Sequence, residues 1–89
     1  MARLDMGYGD IAEIAEKKPT AEDLFELGIL FSTGETVPTD LVAAHKWFNL
    51  AAARGNDEAA YHRQEIAMEM SAAEVAAAQR SAREYLHAH

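Results

Sequence analysis

Cysteine is absent from the 89-residue chain. This absence excludes a disulfide framework and thiolate metal sites, and it agrees with a reducing compartment. Long apolar runs are absent as well, since no stretch approaches the roughly 20 residues of a membrane-spanning helix and the N-terminus has no apolar run of signal-peptide length. These absences predict a cytoplasmic protein that does not associate with a membrane.

Large core-forming residues are scarce. Leu, Ile, Val and Phe together supply 17 of the 89 residues, which with a net charge of -7 lies close to the composition of disordered chains. Alanine compensates, because its 19 copies favour helices and let their backbones approach closely. Since the length leaves room for one domain, the sequence predicts one small, tightly packed all-α domain.

Basic residues are also scarce, with eight Lys and Arg against fifteen Asp and Glu. The imbalance is concentrated in residues 1–40, which hold nine acidic and three basic residues, whereas residues 41–89 hold six and five. A nucleic-acid-binding surface needs an excess of positive charge. We therefore expect no nucleic-acid partner, and an acidic surface formed by the N-terminal part of the chain.

Capping residues divide the chain into four main helices. The predicted starts are Thr20, Asp40, Asn56 or Asp57, and Ser71, with Glu74 completing a capping box after Ser71. The first of these helices is predicted to span residues 21–33. Gly34 and Gly55 are expected to end the first two in the left-handed conformation. A short leader helix is predicted over residues 10–18, before Pro19.

The apolar stripes of the last two helices are built mainly from alanine. The predicted stripe of the third helix comprises Ala59, Arg63, Ile66, Ala67 and Met70, and that of the fourth comprises Val75, Ala78, Ala82, Tyr85 and Leu86. The arginine interrupts an otherwise apolar face.

A repeated pattern covers about 40 residues of the chain, and a weak copy follows at an offset of 36. Its defining positions are Leu24, Leu27, Gly28, Phe31, Gly34, Val37, Asp40, Ala44, Trp47, Phe48, Ala51, Ala52, Gly55 and Ala59. This pattern resembles the Sel1-like repeat, a relative of the tetratricopeptide repeats. The resemblance implies a helix–loop–helix unit that stacks into a short array of antiparallel helix pairs and binds other proteins, without catalytic residues of its own.

The resemblance divides the single domain into three parts. Residues 1–19 form the tail and leader helix, residues 20–57 form the repeat, and residues 58–89 form a degenerate capping repeat. In the second copy Arg63 and Gln64 replace the Leu-Gly pair, and Ala78 and Gln79 stand where the two large aromatic residues are expected. A copy of this kind cannot extend a solenoid and suits a terminal cap.

Small residues on the first two main helices are expected to permit close packing. Gly28 leaves space for the ring of either Trp47 or Phe48, and Ala51 and Ala52 let the following helix approach. Trp47 is predicted to be the largest side chain of the core. A ligand-binding aromatic box is the alternative interpretation of the two aromatic residues.

No constellation of residues typical of an enzyme or a metal protein is found. The four histidines, His45, His62, His87 and His89, are scattered, and the serines and threonines lack His and carboxylate partners at a motif spacing. We therefore expect no catalytic site, no cofactor and no bound metal.

The first main helix carries the candidate partner-binding residues, which are Glu22, Phe25, Glu26 and Ile29. Ile29 and Leu30 extend its apolar face beyond the core stripe, so that a partly exposed patch is expected unless another segment covers it. Ile11 and Ile14 of the leader are candidates to cover it. The hypothesis is that this face binds another protein with a basic surface.

The sequence leaves two alternatives. In the first, the acidic residues are solvated surface only and the interaction site lies on the last helix around Arg80 and Arg83. In the second, the chain is a structural protein that depends on homo-oligomerisation, because a domain of this size buries little apolar surface alone. The sequence does not decide between a monomer and a homodimer.

Overall fold

The computed structural model describes residues 18–88. Within this range the chain forms four α-helices, α1 (Ala21–Thr33), α2 (Leu41–Ala53), α3 (Asp57–Ala67) and α4 (Ala72–Ala88), and no strand. The predicted all-α class and the four main helices are therefore confirmed. The predicted leader helix, with Ile11 and Ile14, lies outside the described residues.

Each helix begins at a short polar side chain that accepts a hydrogen bond from the backbone three residues later. The four pairs are Thr20 with Asp23, Asp40 with Ala43, Asn56 with Ala59, and Ser71 with Glu74. In the first and last pairs the acidic side chain also accepts a hydrogen bond from the backbone N–H of the capping residue, at 3.0 and 2.8 Å. Since a cap contributes about 1 kcal/mol, these local interactions fix where the helices begin.

Two glycines end the first two helices as predicted. Gly34 follows α1 with φ 75°, and Gly55 follows the end of α2 with φ 101°. These left-handed conformations are disfavoured for residues that carry a Cβ. The connection between α3 and α4 has no glycine and is closed by backbone hydrogen bonds from Met68, Glu69 and Met70 to the last turn of α3.

The second helix is the centre of the fold, because α1, α3 and α4 all pack against it. The backbone N–H of Asp40 at its start donates to the carbonyl of Phe31 near the end of α1, at 2.9 Å. At its other end, the Arg54 guanidinium donates to the carbonyl of Pro19 just before α1, at 2.5 Å. These two contacts make α1 and α2 an antiparallel pair. The α3 helix also meets α1, over a shorter stretch.

The core is built mostly from small side chains, as the composition predicts. Buried hydrophobic residues in the described range are Leu24, Phe48 and Leu50, together with the alanines Ala44, Ala51, Ala59, Ala78 and Ala82. Leu27, Phe31, Ala52, Ile66 and Tyr85 pack around this group and remain partly exposed. The core is thin, and the close approach of the helices depends on small side chains.

The structure corrects the expectation for Trp47. This side chain is only half-buried and lies at the rim of the core, where its ring meets Tyr85 of α4 edge to face at 5.4 Å. The largest fully buried side chain is Phe48. Of the two aromatic residues that the sequence left open, Phe48 is the one that packs against Gly28.

The structure also corrects the predicted stripe of α4. Leu86 is 53% exposed, whereas Ala78 and Ala82 are buried and Tyr85 is half-buried. The apolar stripe of α4 is narrow because its packing within the described residues is mainly against α2. None of the four described helices has both the length and the apolar content needed to span a membrane.

Candidate functional site

A shallow groove of about 400 Å³ runs along the outer face of α1 and ends at the loop that follows Gly34. We call it the α1 groove, and its lining residues are Phe25, Glu26, Ile29, Leu30, Thr33, Glu35 and Thr36. Three of the four candidate residues from the sequence therefore line one concave surface. The fourth, Glu22, is exposed one turn before Glu26 on the same helix.

The floor of the α1 groove is apolar and attached to the core. Phe25, Ile29 and Leu30 are each half-buried. The ring of Phe25 lies 5.7 Å from that of Phe48 and 5.3 Å from that of His62, measured between centroids. Phe25 is therefore a structural residue as well as a surface residue, whereas Ile29 packs against the edge of the core.

The charged side chains that line the α1 groove, Glu26 and Glu35, are both acidic, and Glu22 lies beside the groove one turn before Glu26. Glu22, Glu26 and Glu35 are all exposed. No Lys or Arg occurs anywhere in residues 19–45, so no basic side chain of this segment neutralises them. An apolar floor with carboxylates around it attracts ligands that combine an apolar surface with positive charge.

His62 supports the groove from α3 and was missed as a site residue by the sequence analysis. Its ring stacks on Phe48 with an interplanar angle of 20° and a centroid distance of 5.3 Å, and it meets Phe25 edge to face. The sequence signal was weak, because His62 lies beside the predicted stripe of α3. Thr33 at the end of α1 was not among the candidate residues either, nor were Glu35 and Thr36, which the turn at Gly34 brings beside α1.

A second groove of about 570 Å³ lies where the α1–α2 loop meets the α3–α4 connection. Its apolar lining includes Val37 and Pro38, and its acidic residues are Asp40, Glu69 and Glu74. The carboxylates of Asp40 and Glu74 both already accept helix-capping hydrogen bonds from backbone N–H groups. The polar groups of this groove are therefore largely engaged in stabilising the helices.

A polar contact lies between α2 and α3 beside the core. Arg63 donates to the side-chain oxygen of Asn49 at 2.6 Å, which explains the arginine in the apolar stripe of α3. His45 is buried at 3% exposure, and its Nδ1 atom has no hydrogen-bond partner among the described residues. Burial lowers the pKa of His45 below its ordinary value of 6.5, and the positive charge of Arg63 lowers this pKa further.

The two aromatic residues considered as a ligand-binding box, Trp47 and Phe48, have packing roles. The ammonium group of Lys46 lies 4.5 Å from the centre of the Trp47 ring and 5.7 Å from that of Tyr85. Because Phe48 is fully buried, Trp47 and Phe48 do not form an open ligand-binding box. Residues 18–88 contain no group of three or more His, Cys, Asp or Glu side chains arranged to hold a metal ion.

Comparison of the chain with protein-family models, with curated proteins and with solved structures finds no match in any of the three. The resemblance to the Sel1-like repeat therefore rests on the residues of this chain alone.

Proposed function

We propose that this chain is a small, non-catalytic, cytoplasmic interaction module of the Sel1-like type, and that its α1 groove binds a partner protein through a basic surface. The observation that carries the proposal is the coincidence of Phe25, Glu26 and Ile29 in one groove. An apolar floor bordered by acidic side chains is typical of a surface that combines buried anchors with electrostatic selection of the partner.

The packing of α1 and the exposure of its carboxylates support this choice. The groove lies on a helix whose inner side is held by Phe48 and His62, so its shape is set before binding. Exposed carboxylates at Glu22 and Glu26 can be substituted with little effect on folding. A preformed groove loses less conformational entropy on binding than a mobile surface does.

The experiment is affinity capture from the native cells with matched variants of the full chain. The variants are Ile29→Ala and the pair Glu22→Lys with Glu26→Lys, and the control is Glu84→Lys, an exposed carboxylate on α4. The proposal predicts that both groove variants lose the captured partner and that the control retains it. A partner retained equally by all variants would place the interaction elsewhere, with Arg80 and Arg83 the next surface to test.

Self-association is a second candidate function, favoured by a separate observation. Tyr61 on α3 is 62% exposed, and Met68, the C-cap residue that follows α3, is 78% exposed. Their spacing of seven residues, about two helical turns, places them on the same side of the chain. Exposed large apolar residues that share a face are candidates for contact with a second copy. Light scattering over a range of concentrations tests it. A dimer that Tyr61→Ser with Met68→Ser converts to a monomer would favour this function, and a monomer at all concentrations would reject it.

A further inference from the structure

We infer that the partner's binding element is an amphipathic α-helix of about three turns, with apolar anchors flanked at both ends by Lys or Arg. The inference rests on the proposed function and specifies the kind of partner that the α1 groove accepts. It follows from the shape, length and charge distribution of the groove.

The backbone of the groove favours a helix over an extended peptide. One side of the groove is the face of α1 that carries Phe25, Ile29 and Thr33, at intervals of four residues. The backbone polar groups within α1 form hydrogen bonds inside the helix. Residues 18–88 contain no β-strand to whose edge a second strand could be added. A peptide that binds by strand addition finds no backbone partners here, whereas a helix satisfies its own backbone groups.

The length of the face sets the length of the partner helix. From Glu22 to Thr33 the residues at spacings of three and four share one side of α1. At 1.5 Å per residue, the distance along the helix axis from Glu22 to Thr33 is about 16 Å, which matches about three turns of a second helix packed alongside. The loop residues Glu35 and Thr36 line the far end of the groove.

The charges set the pattern of the partner helix. Glu22 and Glu26 lie toward the first end of the face and Glu35 lies at the other, with the apolar Ile29 and Leu30 between them. A helix with Lys or Arg at both ends and two or three large apolar residues between them complements this arrangement. A helix with acidic ends places like charges together, which disfavours binding.

Synthetic helical peptides test the pattern against the full chain. The first peptide has leucines at i, i+4 and i+7 with lysines at both ends, the second has glutamates in place of the lysines, and the third has alanines in place of the leucines. Affinities are measured by fluorescence anisotropy at low and moderate salt. We expect the first peptide to bind about tenfold or more tightly than either of the others.

Charge reversal on the chain supplies the matched control. With Glu26→Lys and Glu35→Lys together, the preference between the lysine and glutamate peptides is expected to reverse. Ile29→Ala is expected to weaken the first peptide by roughly tenfold, and Glu84→Lys on α4 to leave its binding unchanged. Absence of binding by the first peptide, equal binding of the lysine and glutamate peptides, or no reversal would overturn the inference.

A homodimer that Ile29→Ala dissociates would assign the groove to a second copy of the chain and would also overturn the inference. If affinity capture depends on Ile29 and Glu26 but the captured partner lacks a basic helix, the inference fails while the proposed function stands.

Discussion

The ring of Phe48 lies directly against the backbone of Gly28, where any Cβ on residue 28 would overlap the ring atoms. This contact joins α1 to α2 inside the core, since both residues are buried. The rings of Phe25 and His62 also contact the Phe48 ring, with centroids at 5.7 and 5.3 Å. The floor of the α1 groove therefore depends on the same packing that holds the two helices together.

Replacing Gly28 with alanine is expected to destabilise the protein although alanine is the better helix former. The gain in helix propensity is about 1 kcal/mol, and overpacking a fully enclosed ring costs about 1 to 3 kcal/mol. Urea denaturation is expected to show a net loss of up to about 2 kcal/mol, partly restored by Phe48→Leu in the same chain. The reverse change Ala76→Gly, at an exposed position of α4, measures the propensity effect alone. A stabilised Gly28→Ala variant would show that the two helices are not in this close contact.

The two neighbouring aromatic residues of α2 are expected to differ in their contribution to stability. Phe48→Ala removes a ring with 0% exposure and is expected to lower the free energy of unfolding by about 3 to 5 kcal/mol. Trp47→Ala is expected to cost about half as much, because the ring is partly exposed and lies at the rim of the core. Thermal or urea denaturation of both variants checks this order. An equal or larger loss for Trp47→Ala would contradict the observed burial.

The sequence predicts the local parts of this fold better than its packing. Helix starts at Thr20, Asp40 and Ser71 could be located because capping depends on residues three positions apart. The choice between Trp47 and Phe48 could not be made, because adjacent residues on a predicted stripe differ in burial only through the helices that surround them.

The candidate site was predictable in part for the same reason. Glu26 and Ile29 could be identified from the face of one helix, since that face follows from periodicity. His62 could not, because its role depends on how α3 packs against Phe25 and Phe48. Glu35 belongs to the groove only through the direction that the chain takes after Gly34.

The free energy of unfolding is expected to decrease as the pH decreases, because His45 becomes protonated. Its pKa is lowered in the folded protein by burial and by Arg63, so the unfolded chain binds a proton more readily. Stability is therefore lost as the pH falls below the unfolded value of about 6.5 and levels off below the folded value. Urea denaturation between pH 8 and pH 5 is expected to show this loss in the wild type and a smaller loss in His45→Gln. Identical pH dependence in the two proteins would remove His45 as its cause.

Association kinetics with the captured partner test whether the acidic face of α1 directs a basic partner into the groove. The wild type is compared with Glu22→Lys and Glu26→Lys combined, and with Glu84→Lys as the control, over a range of salt concentrations. We expect slower association and a flatter salt dependence for the double variant, with little change in dissociation, because electrostatic complementarity acts mainly on encounter. Equal association rates for the double variant and the wild type at every salt concentration would contradict this expectation.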